Sequence, residues 1–275
     1  MPERLVGVAG RRVSRRTWDL LRKVARSKGK ILRRRLGQDA PDVAELSPGR
    51  DLDRGWLGLL LRHCTKCYAS PRVYTFGTLL LPRLRDEGWD GVRAWTRGLR
   101  SDCPAGIFAR DFLLVPVLDE GSARWWLAVL CYPWAAASRP SGGGDGGAAA
   151  KRARVALLDP SSPPPGDAEA EADADRQKSK TLKLVKDYLR KEWTESLGAA
   201  AGAYDASRLA VLQLAAPQAP GARDSGVYVL EFARCLLRDV GLLEELGEGR
   251  QIRLQVREQP RRWWQQLGAK LLSAD

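Results

Sequence analysis

Acidic residues are in deficit: 33 Asp and Glu stand against 46 Lys and Arg in 275 residues, a formal charge of +13. That balance favours acidic partners: nucleic acid, an anionic membrane or an acidic protein surface. A solubility effect of an Arg-rich composition gives the same sum. No apolar run approaches the ~18 residues of a membrane span. The N-terminus lacks the sustained apolar stretch of a secretory signal, so a soluble intracellular chain is expected. Cysteines are few and irregular. There are five, an odd number with no framework spacing, so no disulfide scaffold is implied. Cys64 and Cys67 form a C-x-x-C, but no second pair follows to complete a zinc site. They are expected as small core residues of a helix. Histidine is scarcest of all: His63 is the single imidazole, expected as a partly buried helix residue. No metal and no cofactor is implied.

What is present suffices for a core, since 44% of the residues are hydrophobic. Residues 1–42 read as a basic leader. In it Trp18, Leu21, Val24, Ala25 and Leu32 recur at helical spacing, with Thr17 as a possible cap. The cluster from Arg22 to Arg35 fits a nuclear address, a contact with nucleic acid or an anionic surface, or a solvated helix face. Residues 43–250 read as the folded domain and 251–275 as a C-terminal tail. In that tail Trp263 and Trp264 either pack on the domain or anchor a partner.

Within the domain, Trp56–Cys67 is dense in Leu and predicts a buried helix. Thr75–Leu84 is a second apolar segment, and Gly91–Thr96 leads into a short helix. Phe112–Val117, Trp125–Tyr132, Val155–Leu158 and Leu209–Leu214 predict strands. Leu182–Leu197 predicts an amphipathic helix with Leu182, Val185, Leu189 and Trp193 on one face. Ser225–Leu237 predicts a helix with Val229, Leu230, Ala233, Leu236 and Leu237 inward. Ala135–Ala150 is rich in Gly, Ser and Ala, and Pro160–Asp175 in Pro, Ala and acid. Both are expected to be flexible loops, near 135–150 and 160–180. Strands and helices alternate without a regular β-α-β rhythm, which predicts an α+β fold.

Three ordered blocks carry a resemblance. The first spans Val92 to Trp134 and includes VRAWTRGL and RDFLLVPVLDEGSARWWLAVLCYPW; the second is VALLDPS, Val155–Ser161; the third is PQAPGARDSGVYVLEF, Pro217–Phe232. Together they resemble the ubiquitin-like-protease family, cysteine proteases that process SUMO and remove it from conjugates. Similarity is greatest to the branch that carries loop insertions and edits SUMO chains. The resemblance implies a papain-like α+β fold, a central mixed sheet packed by helices, with two flexible insertions. It implies SUMO or its conjugates as partner, and a nuclear location.

Isopeptide cleavage by this route needs a thiolate, a base, a group that orients the base, and oxyanion donors. The family places a His at the start of a W-x-L-A-V strand as base. An Asp after the next strand orients it, a Gln serves the oxyanion, and the nucleophilic Cys sits in a D-C-G turn. At a helix N-terminus the dipole favours that thiolate. Carried over, Asp159 matches the orienting acid and Gln218 the oxyanion Gln, one residue out of register. Trp125 matches the Trp that lines the tunnel for the substrate's Gly-Gly tail, and Gly226 the Gly after the nucleophile. Two positions depart: Arg124 occupies the base position and Ser225 the nucleophile position. Arg cannot accept a proton near neutrality, and is expected to pair with Asp159 instead. The expectation is a degenerate pseudoprotease that keeps a SUMO-binding scaffold. The alternatives are a hydrolase using Ser225, natural or substituted for Cys, and a basic adaptor for nucleic acid or a surface.

Overall fold

A computed structural model describes residues 46–47, 49–138, 151–161, 166–198 and 201–272. The basic leader, and residues 139–150 of the first expected loop, lie outside them. At the start of the domain Asp53 caps helix α1, Arg54–Cys67, its carboxylate accepting the Trp56 N–H at 2.7 Å. Trp56, Leu57, Leu60, Leu61 and Cys64 form its buried face. Cys67 falls off that face and is exposed, so only Cys64 of the pair is a core residue. The segment Thr75–Leu84 divides: Val73–Thr75 is strand β1 and Leu80–Glu87 is helix α2. Helix α3 is the short Arg97–Asp102.

Strands β2, Phe112–Asp119, and β3, Arg124–Cys131, form the longest pairing. It is antiparallel, in register from Phe112↔Cys131 to Asp119↔Arg124. Pro116 is tolerated inside β2 because it lies past the last β1 pairing, Thr75↔Leu114. Strand β4 is Arg154–Leu158 and β5 is Ala210–Gln213. The sheet runs β1-β2-β3-β4-β5; the two outer pairs are parallel and the inner pairs antiparallel. This is the expected mixed α+β architecture.

Both faces of the sheet are covered, so its strands read as almost unbroken apolar runs. Helix α4 is Ala168–Leu197, α5 is Ser225–Arg238, α6 is Val240–Glu248 and α7 is Pro260–Leu272. On one face Trp125, Leu127, Val129 and Cys131 of β3 pack with α1, α5, α6 and Trp264. On the other, Trp126, Ala128 and Leu130 pack with α2 and α4.

One sequence expectation changes. The acid-rich stretch expected as a flexible loop near 160–180 is helical from Ala168 onward. Asp167 caps it by accepting the Ala170 N–H, and Glu169 and Glu171 in its first turn suit the helix dipole. In the C-terminal segment, of the two roles expected for its tryptophans, Trp264 packs on the domain. Trp264 is fully buried, and its Nε1 donates to the buried Glu231 of α5 at 2.9 Å.

Candidate active-site corner

The corner forms where the N-terminus of α5 meets the start of β3. A short turn, Ala222–Asp224, delivers Ser225 as the first residue of α5. Arg261 of α7 holds that turn. It bonds Asp224 Oδ1 at 2.6 Å and donates to the carbonyl oxygens of Arg223 and Ser47. Ser225 is only 1% exposed, and its Oγ accepts the backbone N–H of Trp125 at 3.0 Å. Trp125 is equally buried and donates its Nε1 to the Leu52 carbonyl at 2.8 Å. A Cβ added at Gly226 would lie 2.9 Å from both Leu52 Cβ and Trp125 Cδ1, so this close approach requires glycine.

Arg124 lies elsewhere. Side chains alternate along a strand, so Arg124 shares the α4 face of β3 with Trp126, while Trp125 faces α5. It lines a cleft of about 250 Å³ with Asp119, Ser122, Asp159, Ser161 and Lys178. The expected Arg124–Asp159 pair is not made. Arg124 donates to the Ser161 carbonyl at 3.0 Å, and the Asp159 carboxylate binds Lys178 Nζ at 2.8 Å and the Ser161 N–H at 2.9 Å. The reason is the backward extension of α4, which brings a lysine over the end of β4. Gln218 donates to the Asp159 and Ala216 carbonyls at 3.0 and 2.9 Å, tying the loop after β5 to the end of β4. His63 sits on α1 with Nε2 3.3 Å from Cys67 Sγ. Burial, then the Lys66 charge, hold its pKa below the usual histidine value.

Sequence reasoning missed Lys178, Leu52 and Arg261. Lys178 was hidden by the Ala-rich start of α4, whose inward stripe of Ala170, Ala174 and Gln177 is only weakly apolar. Leu52 and Arg261 carry no local signal. Missed as well was a cleft of about 320 Å³ beside α1, lined by Gly58, Leu61, Arg62, Phe76, Leu79 and Trp95 among others. Leu79 and Trp95 are 51% and 40% exposed. Arg62 is the one charged residue in the lining.

A five-stranded mixed sheet with helices on both faces, and a helix N-terminus set against the first residues of its central strand, defines an α+β domain. Residues 57–243 match the model of the Ulp1 protease family, C-terminal catalytic domain. The chain belongs to that family. Among solved structures, a de-sumoylating protease matches with a TM-score of 0.59 and 10% identity, over 84% of this chain and 85% of that one. The SUMO protease Ulp1 with its catalytic cysteine oxidised to a sulfinic acid matches at 0.55 and 17%, over 97% and 98%. The C-terminal Ulp1 protease domain in complex with Smt3, the yeast ortholog of SUMO, matches at 0.52 and 17%, over 85% and 81%. At such identities these likenesses establish the fold. Among curated proteins none matches.

Proposed function

We propose that this chain is a catalytically silent member of the SUMO-protease family that binds an acidic ubiquitin-like modifier without cleaving it. One observation carries the reading. The base and nucleophile positions hold Arg124, whose side chain donates to the Ser161 carbonyl, and Ser225, whose Oγ accepts the Trp125 N–H. Arg124 stays protonated near neutrality. The Ser225 hydroxyl is bonded to backbone, and the single imidazole of the chain contacts Cys67 instead. Losing triad members lowers turnover by about 10⁴ to 10⁶.

Binding is supported by the cleft beside α1. Exposed Leu79 and Trp95 around a concave surface suit a protein partner. A lining with a single arginine and no carboxylate, on a chain of charge +13, suits an acidic one. A related domain was solved with Smt3 bound.

Two assays test this. Titration of mature SUMO is expected to give saturable binding that Trp95→Ala weakens, and absence of binding removes that half of the reading. A SUMO-tail fluorophore substrate is expected to give no release at high protein concentration. Release abolished by Ser225→Ala would establish a working serine hydrolase instead. The double variant R124H/S225C is expected to stay silent, because Lys178 holds Asp159 and position 225 is buried. Recovered cleavage would mean that the corner has kept its catalytic arrangement.

A further inference from the structure

We infer that the modifier is engaged through its folded face alone, with its C-terminal tail left outside position 225; this rests on the modifier-binding reading above. An extended peptide laid beside another strand needs about 5 Å of clearance. At the corner Ser225 is only 1% exposed, too little free surface to lie beside such a strand. Leu52, Trp125 and Gly226 are already in contact, so closely that even a methyl group at 226 would meet both neighbours at 2.9 Å. Ser225, Leu52 and Trp125 are all buried.

The cover over this corner is tied down along its length. The Leu52 carbonyl accepts Trp125 Nε1 at 2.8 Å, and the Gly49 carbonyl accepts Arg223 Nη1 at 2.7 Å. The Ser47 carbonyl accepts Arg261 Nη1 at 3.1 Å, and Asp53 is committed to capping α1. Leu46 and Leu52 are buried in the same core as Trp56 and Trp264. A tail reaching position 225 would have to detach residues 46–47 and 49–53 from the turn before α5, from α7 and from β3 together. The cleft beside α1 needs no such opening. Its wall is linked to the cover through the first residue of α1, since Thr78 Oγ1 donates to the Arg54 carbonyl at 3.1 Å. The lining of the cleft shares no residue with Leu52, Trp125, Ser225 or Gly226, so a partner can sit in it while the corner stays shut.

Two measurements on the full chain test this. The first compares the Kd of mature SUMO with that of SUMO truncated before its C-terminal Gly-Gly. The expected values agree within about twofold, and a loss of about tenfold or more on truncation would overturn the inference. The second is alkylation of the S225C variant by iodoacetamide. Its new thiol is expected to react about 100-fold more slowly than the exposed Cys67, because reaction requires local opening. Labelling as fast as Cys67 in the folded protein would overturn the closed corner even with equal Kd values. If neither form of SUMO binds, the modifier-binding reading fails and this inference with it, whatever the thiol rate.

Discussion

Two carboxylates on opposite sides of the sheet have been treated differently. Glu231 of α5 is fully buried and saturated. It takes Arg234 Nη2 at 2.9 Å, Arg257 Nη1 at 2.7 Å, the Arg257 N–H at 3.2 Å and Trp264 Nε1 at 2.9 Å. Asp159, the acid position of the corner, is 14% exposed and takes one lysine and one backbone N–H. Glu231 clamps residues 255–264 onto the core. Asp159 closes one ion pair at the mouth of a cleft. Where the architecture depends on a charge, every acceptor site on it is occupied. At Asp159 the charge is only neutralised.

The largest effect should come from the saturated side. Glu231→Ala leaves Arg234 and Arg257 without their buried partner and is expected to destabilise by ~3–5 kcal/mol, read as a lower urea midpoint. A loss below ~1 kcal/mol would erase the contrast between the two carboxylates. Next comes Gly226→Ala at the corner. Its methyl must displace Leu52 or Trp125, so a loss of ~1–3 kcal/mol is expected by the same measurement. A neutral result would mean that residues 49–53 yield easily, against a closed corner.

Lys178→Ala should be milder, below ~1 kcal/mol after allowing for solvent screening of a partly exposed pair. A loss as large as that of Glu231→Ala would make the Asp159 pair architectural. The smallest effect belongs to His63, which touches neither carboxylate. Its folded pKa lies below the unfolded value, so the unfolded chain binds the proton more readily. Stability should therefore fall as pH drops below about 6.5 and level off below the folded pKa. His63→Gln should flatten that component of the pH profile of thermal unfolding; an unchanged profile would assign the titration to another group.

Much of the fold was legible because its signals are local. Phe112–Val117, Trp125–Tyr132 and Val155–Leu158 are dense in branched and aromatic residues, and they became β2, β3 and β4. The inward set of Val229, Leu230, Ala233, Leu236 and Leu237 is buried as its spacing predicts. The first half of α4 was not legible. Its Ala and acid residues favour a helix but bury little, and a pattern search weighs burial. For residues 251–272 the sequence left open whether the tryptophans pack on the domain, because the polar partner of Trp264 and Arg257, Glu231, lies 26 to 33 residues away.

The sequence by itself determined the family blocks and which residues stand at 124 and 225, because residue identity needs no coordinates. Only the tertiary structure decided what each of these groups bonds. Ser225 holds the Trp125 N–H across 100 residues of chain, Trp125 holds Leu52 across 73, and Asp159 takes Lys178 rather than Arg124. Those choices depend on how helices and strands are set against one another in space. A strand's alternation then places neighbours such as Arg124 and Trp125 on opposite faces.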